Sequence, residues 1–183
     1  MEADDLQLRL GQIRAIALDV DGVLTDGGVW WGPNGEEWKR FSFADIMGIS
    51  LARRAGLKIG LISGEDSPLV DRYAAKMNIE FVAKGRRDKA VALKEFAAAI
   101  STALAQICYM GDDVNDVAPM RVAGLSVAPA NASRAAMAHA AMITTSAGGN
   151  GAVRELVDAL LTAKGLEPEE VLAKPWDVQT GPK

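Results

Sequence analysis

The sequence predicts an α/β domain: a doubly wound, Rossmann-like parallel sheet with a β-hairpin insertion and no cap domain. Three observations carry this expectation. Short apolar runs alternate with helical stretches along the chain, the pattern of a parallel sheet covered by helices. Polar clusters follow several of those runs, where a sheet of this kind places its ligand. The intervals between the clusters are too short to hold a second domain. With 183 residues, 49% of them hydrophobic, one core can bury roughly 70% of the unfolded surface. Residues 1–173 are therefore expected to form one domain.

The first apolar run, Ile13–Leu18, reads as the first strand. Residues 22–45 then break the rhythm. Val29–Trp31 and Glu37–Phe41 flank Gly32-Pro33-Asn34-Gly35, which is turn chemistry, so this stretch reads as a β-hairpin insertion. A helix starts after Ser42 or Asp45 and stops at Gly56, with Arg53 and Arg54 in its last turn, where cations suit the helix dipole. Lys58–Ile62 is the next strand. Ser67 caps the following helix and Pro68 takes its first position, where a missing N–H costs nothing. Glu80–Ala83 is a strand, and Asp88 opens an Ala-rich helix to about Ile100. Ile107–Met110 is a strand, Asp112 or Asp113 opens a short helix, and Leu125–Ala128 is another strand. His139 lies in an Ala-rich helix and is expected to be exposed. Asn150–Lys164 reads as the closing helix, and residues 174–183, with two prolines and two lysines, as a flexible tail.

Composition removes several function classes. Twenty basic against twenty-four acidic residues give a net charge of −4, which argues against an electrostatic nucleic-acid binder. Cys108 is the one cysteine, so there is no disulfide framework and no cysteine metal site. It falls within a strand and is expected to be inert. His139 is the one histidine, which excludes a multi-His zinc site and argues against a Ser-His-Asp triad. Met1–Leu10 is acidic and mixed, unlike a signal peptide, and no run of about 18 apolar residues is present. A cytoplasmic protein is expected.

The chemistry is sought after each strand. Asp19-Val20-Asp21-Gly22 follows the first, Ser63-Gly64-Glu65 the second, and Gly111-Asp112-Asp113-Val114-Asn115-Asp116 the Ile107–Met110 run. Asp19 and Asp21, joined by Asp112 and Asp116, repel one another unless a cation neutralises them. Oxygen ligands without His or Cys suit magnesium. Lys89 stands in the first turn of a helix, where the dipole disfavours a cation; a local rule broken there suggests a grip on phosphate. Ser63 and the Gly64 amide add donors for the same anion. Taken singly, each of these has a plain structural reading: a turn, a helix cap, a solvated lysine. Together and in this order they make a metal-assisted phosphoryl-transfer site with a carboxylate nucleophile. Lys84, Arg86 and Arg87 could steer an anion to it or form a solvated turn.

Asp19, Asp21 with Gly22, Ser63, Lys89 and Gly111-Asp112-Asp113…Asp116 resemble the motifs of the haloacid dehalogenase superfamily. The resemblance implies that Asp19 is the nucleophile, forming an aspartyl-phosphate, and that Asp21 is acid and then base. It implies that Ser63, Gly64 and Lys89 bind the phosphoryl group. Magnesium would be held by Asp19, the Asp21 backbone carbonyl and Asp112, with Asp113 and Asp116 in support. Across Ile13 to Leu161, the segments Asp19–Gly28, Glu37-Trp38-Lys39, Ile62-Ser63-Gly64 and Gly148–Glu155 resemble the capless phosphatases of sugar-acid biosynthesis. Those act on 3-deoxy-octulosonate 8-phosphate (KDO 8-phosphate) or on a nonulosonate 9-phosphate of the KDN or sialic-acid type. Intervals of 44, 26 and 23 residues separate Asp19, Ser63, Lys89 and Asp112, which the core elements fill.

An open site must still exclude water. Trp30, Trp31, Trp38 and Phe41 give the hairpin more aromatic area than a solvated hairpin needs. Such relatives are homotetramers, which implies a homotetramer here with sites at subunit interfaces. Octulosonate phosphatases usually carry Arg where Glu65 stands. Glu65 with Lys76 resembles the nonulosonate enzymes, whereas Phe43, Asp71 and Tyr73 depart from them, and Arg72 is a candidate for the substrate carboxylate. The expectation is a magnesium-dependent phosphatase of a 2-keto-3-deoxy sugar acid, on the way to a surface carbohydrate such as lipopolysaccharide. A broad-specificity small-molecule phosphatase is the main alternative. A non-catalytic oligomerisation partner of a sugar-acid cytidylyltransferase would show damaged motifs, and a phosphomutase would need a cap.

Overall fold

Six apolar runs build one parallel sheet in the computed structural model, which describes residues 3–174. In chain order the elements are α1 (Ala3–Gln12), β1 (Ala15–Leu18), the hairpin strands β2 (Trp30–Trp31) and β3 (Glu37–Trp38), α2 (Phe43–Arg54), β4 (Lys58–Ile62), α3 (Pro68–Met77), β5 (Phe81–Ala83), α4 (Lys89–Ala99), β6 (Ile107–Met110), α5 (Val117–Val122), β7 (Leu125–Ala128), α6 (Arg134–His139), β8 (Met142–Ile143), α7 (Ala152–Ala163) and α8 (Pro168–Ala173). The sheet order is β5-β4-β1-β6-β7-β8. Setting the hairpin aside, the strand order reverses between β1 and β6. In such sheets ligands bind at that reversal, beyond the strands' carboxyl ends.

Alternation along each strand explains the two helical layers. Ile16, Leu18, Ile59, Leu61, Cys108 and Met110 face one side, where they pack with Leu10 of α1, Ile49 of α2, Val70 of α3 and Leu156 of α7. Ala15, Ala17, Ile62, Ile107 and Tyr109 face the other, against Leu93 and Phe96 of α4 and Met120 of α5. Each such large side chain, fully buried, contributes roughly 1.5–3 kcal/mol from apolar transfer.

The departures from the sequence-based reading have local causes. The first strand begins at Ala15 rather than Ile13, because Ile13 closes the first helix, its N–H donating to Leu10 O at 3.3 Å. The fifth strand begins at Phe81 rather than Glu80. The hairpin pairs only over Trp30↔Trp38 and Trp31↔Glu37, while Phe41 forms a single bridge to Thr25. Ser42, not Asp45, caps α2, and Asp113 caps the turn after β6. The Asp45 carboxylate is buried and accepts instead from the N–H groups of Gly151, Val153 and Arg154, capping α7 across the interface. α7 is not the last helix, since α8 follows it, and α1 and β8 also escape the sequence pattern. His139 is half-buried rather than exposed, with Nε2 2.9 Å from Arg121 and Nδ1 2.9 Å from Ala135 O. Cys108 is buried, and that burial pushes its thiol upward, as an inert core residue requires. The expected tail beyond Lys174 lies outside the described residues.

Candidate active site

The register sets Leu18 of β1 beside Leu61 of β4 and Met110 of β6, so the segments that follow emerge together at one sheet edge. Asp19 leaves β1 with its N–H donated to Met110 O at 2.9 Å. The chain then turns sharply: the N–H groups of Val23, Leu24 and Thr25 all donate to Val20 O. Gly22 has φ +86°, and a Cβ there would stand 2.0 Å from Asp112 Oδ2. Only glycine lets the β1 loop pass this close to Asp112. Gly148 serves the same closeness from behind, since its Cβ would fall 1.8 Å from Gly22 O. Asn131 ties the two, donating to Gly22 O at 3.2 Å and accepting from Gly148 N at 2.7 Å.

Asp19, Asp112 and Asp116 form a cluster in which one carboxylate oxygen of each lies within 4.8 Å of the others. Asp116 is fully buried and saturated. Its Oδ1 accepts from Lys89 Nζ and Tyr109 OH, both at 2.7 Å, and its Oδ2 from the N–H groups of Asp112 at 3.0 Å and Asp113 at 3.1 Å. It is thus a brace, closing a capping box with Asp113, whose own carboxylate caps Val114 N at 2.7 Å. Lys89, the first residue of α4, spans the cluster, its Nζ 2.8 Å from Asp19 Oδ1. Burial disfavours its charge, but Asp19 and Asp116 more than offset this and hold its pKa above the usual lysine value. Burial and the Asp116 charge raise Asp19 well above the ordinary carboxylate range despite Lys89. Asp112 is pushed up to about 6 by burial and by Asp116.

This donor set fits a divalent cation. Three buried or half-buried carboxylates face one ammonium, leaving two negative charges uncompensated among oxygen-only ligands. With Asp116 saturated, Asp19 and Asp112 are the carboxylates with capacity to spare. Ser63 is buried after β4, its Oγ accepting from Glu65 N at 3.1 Å. Gly64 closes on the same place: a Cβ there would lie 3.6 Å from Asn115 Nδ2 and 3.8 Å from Lys89 Cε. Asn115 was not singled out by sequence reasoning, although it is the exposed polar residue between Asp113 and Asp116.

Asp21 stands apart from the three-carboxylate cluster. Its Oδ1 meets Lys39 Nζ at 2.9 Å, and Lys39 also pairs with Glu37 at 3.5 Å and with Glu65. Together with Trp31 and residues Gly27–Val29 these residues line a pocket of about 200 Å³ at the mouth of the site. Lys39 is the residue that sequence reasoning quoted only as part of a resemblance. A larger groove of about 540 Å³ opens elsewhere, beside Lys58 at the start of β4 and Asn78 at the end of α3. It lies at the amino edge of the strands, away from the carboxylates.

The residues expected to set specificity are only partly assembled. Glu65 is at the mouth but pairs with Lys39, not Lys76. Lys76 Nζ lies 5.5 Å from the Phe43 ring centroid, and Arg72 is exposed on the same helix. Among the described residues neither makes an ion pair with the carboxylate cluster. Lys84 is paired with Asp66 at 2.8 Å and Asp71 at 2.6 Å, and Arg86 with Glu95 at 2.7 Å, so these two form a surface ion-pair layer. Arg87 is exposed. On the hairpin Trp30, Trp31 and Trp38 are 64%, 75% and 52% exposed, whereas Phe41 stacks on Tyr73 with ring centroids 4.5 Å apart.

Comparison with known proteins supplies relatives for this arrangement. The model of a haloacid dehalogenase-like hydrolase family matches residues 69–156. The 3-deoxy-D-manno-octulosonate 8-phosphate phosphatase of Escherichia coli (strain B / BL21-DE3) is 38% identical over 161 residues, covering 88% of this chain and 86% of the relative. The crystal structure of the phosphatase of that name from Yersinia pestis superposes with a TM-score of 0.87 at 36% identity, over 90% of this chain and 89% of that one. The Moraxella catarrhalis phosphatase, in complex with magnesium, phosphate and KDO, superposes with a TM-score of 0.87 at 32% identity, over 90% of this chain and 94% of that one.

Proposed function

The chain belongs to the haloacid dehalogenase-like hydrolases, in the family of the 3-deoxy-D-manno-octulosonate 8-phosphate phosphatases, and from that premise we propose that it hydrolyses the phosphate monoester of an eight-carbon 2-keto-3-deoxy sugar acid through an aspartyl-phosphate. It is a phosphoric monoester hydrolase. The observation that supports the mechanism is the buried Lys89 ammonium bridging Asp19 and Asp116 where the strand order reverses.

In this reading Asp19 is the nucleophile. One of its oxygens is held by Lys89 and another attacks phosphorus, so the Asp19–phosphorus bond forms as the bond to the sugar oxygen breaks. Asp21 gives its proton to that departing oxygen, then takes one from the water that hydrolyses the acyl phosphate. Ser63, the Gly64 amide and Lys89 hold the phosphoryl oxygens, and their preorganisation supports the charge that develops there. Asp19, Asp112 and the Asp21 backbone carbonyl would hold magnesium, the ion in the Moraxella relative's structure, with Asp113 and Asp116 holding the loop behind them. Bound there, magnesium neutralises the acidic cluster and the phosphoryl oxygens.

The eight-carbon substrate follows the relatives. The nine-carbon reading rests on Glu65, which stands at the mouth pocket. The exposed tryptophans of the hairpin support a homotetramer that closes the site, as an uncapped pocket needs. No helix among the described residues is long and apolar enough to cross a membrane, and we place the enzyme in the cytoplasm, in the supply of KDO for lipopolysaccharide.

Magnesium-dependent phosphate release from KDO 8-phosphate and from a nonulosonate 9-phosphate, measured side by side, tests this. Preference for the eight-carbon substrate is expected. Preference for the nine-carbon one would transfer specificity to Glu65. Weak and equal rates on both would mark a broad-specificity phosphatase, and no release from either would remove the reading.

A further inference from the structure

We propose that Lys39 is a positioning residue for proton transfer: from the hairpin it holds the Asp21 carboxylate in the orientation that serves the leaving oxygen. This rests on the reading of Asp21 as acid and base given above.

The two aspartates of the β1 loop are seated very differently. Asp19 is buried, with Lys89 across one of its oxygens. Asp21 is half-buried, its side chain 35% exposed, and among the described residues its carboxylate has one polar side-chain partner, Lys39 Nζ at 2.9 Å. Without that contact an exposed carboxylate would sample several rotamers, and a reacting group displaced by about 1 Å loses roughly two orders of magnitude in rate.

Lys39 is built to hold rather than to bind. Its side chain is only 4% exposed, so it has given up most of its water. Three carboxylates surround the ammonium: Asp21, Glu37 and Glu65. Their summed charge leaves it no surplus for a substrate anion. Glu37 is itself anchored, accepting from Trp31 Nε1 at 3.3 Å and from Ser67 Oγ at 3.5 Å. Trp31 lies on the hairpin and Ser67 caps α3, so the contact on Asp21 is fixed to two elements outside the β1 loop. The orientation of the acid is therefore set by the hairpin.

The step concerned is the one in which the phosphorus–sugar oxygen bond breaks and the Asp21 proton passes to that oxygen. Lys39→Met should slow it only where the proton is needed. In kcat/KM, which reports only the steps up to departure of the leaving group and not the later hydrolysis in which Asp21 is base, the loss should be about 100-fold for KDO 8-phosphate, whose leaving group is an alkoxide, and less than about 10-fold for p-nitrophenyl phosphate, whose leaving group departs as a stable anion. Lys39→Arg should recover most of the loss. Lys39→Gln, which keeps a donor and loses the charge, should show the same substrate dependence and serves if Lys39→Met does not fold. Equal losses on both substrates, or no loss on either, would overturn the proposal. Asp21→Asn separates the two levels. If Asp21→Asn shows the leaving-group dependence and the Lys39 variants do not, only the positioning role fails. If Asp21→Asn does not show it, the acid–base reading fails as well.

Discussion

Replacing Asp116 by Asn changes one atom and disturbs four hydrogen bonds. The carboxylate accepts from Lys89 Nζ and Tyr109 OH on one oxygen and from the N–H groups of Asp112 and Asp113 on the other. An amide can keep only one of these oxygens. Either way one of the ammonium's two counter-charges is lost; if the NH2 turns toward the loop, two N–H groups also face a donor, and if it turns inward, it meets the ammonium. A buried donor left without an acceptor costs about 1–3 kcal/mol, and breaking a buried charge pair about 3–5 kcal/mol. Lys89 keeps Asp19 as a partner, which sets the expectation near 3 kcal/mol. For a chain of this size that lowers the melting temperature by about 6–12 °C. Asp113→Asn is the control: asparagine caps a helix as well as aspartate does, so about 0.5 kcal/mol or less is expected. Thermal and urea denaturation of the two variants beside the parent measure both. Equal melting of Asp116→Asn and Asp113→Asn would refute the assignment of Asp116 as the brace of the site.

Asp19→Asn should abolish phosphate release while melting no lower than about 2 °C below the parent, since it removes a carboxylate that burial already disfavours; retained turnover would remove the nucleophile. Gly148→Ala should lose activity and about 1–3 kcal/mol of stability, because its Cβ would fall 1.8 Å from the Gly22 carbonyl beside Asp21; parental kcat would contradict the close approach. Sedimentation should show a tetramer, and Trp30→Ser with Trp31→Ser should shift it to smaller species, whereas a parental monomer would sink the capping argument. Burial raises the Glu155 carboxyl, but donors from Thr145 and Ser146 more than offset it and depress the pKa. A depressed carboxylate contributes stability above its unfolded value that is lost as pH falls through the folded one. The melting advantage over Glu155→Gln should therefore hold above the ordinary value of 4.5 and shrink at lower pH; an advantage unchanged at low pH would contradict it.

What the chain reveals without coordinates is tied to strand ends. Asp19, Ser63 and Asp112 each follow a run whose burial is written in its apolar residues, and parallel strands deliver such ends to one edge. Lys89 stood out because a cation at a helix N-terminus breaks a local rule, and the buried pairs to Asp19 and Asp116 are the compensation. The caps at Ser67 and Asp88 were legible for the same local reason: an acceptor side chain beside the free N–H groups of a helix start. Strand β8, two residues long, lacks the length that a periodic pattern needs. α1 and α8 are read less easily from pattern, since few of their residues are buried.

The rest depended on where distant segments meet. The same Asp-Asp-x-x-Asp spacing could have offered three ligands, and only the turn at Val114–Asp116 directs Asp116 inward to four donors and away from that role. Asp21, two residues from Asp19, was grouped with it by proximity in sequence. The loop instead sends it to Lys39, on a hairpin whose direction no local pattern specifies. Glu65 and Lys76 are named together through their resemblance to the nonulosonate enzymes, yet it is a lysine from that hairpin that pairs with Glu65. Sequence alone determined which groups could do the chemistry, because residue type and strand-end position are local properties. Tertiary structure decided which of them is buried and saturated, which shares an ammonium and which is left at the mouth, because burial and pairing depend on segments brought together from across the chain.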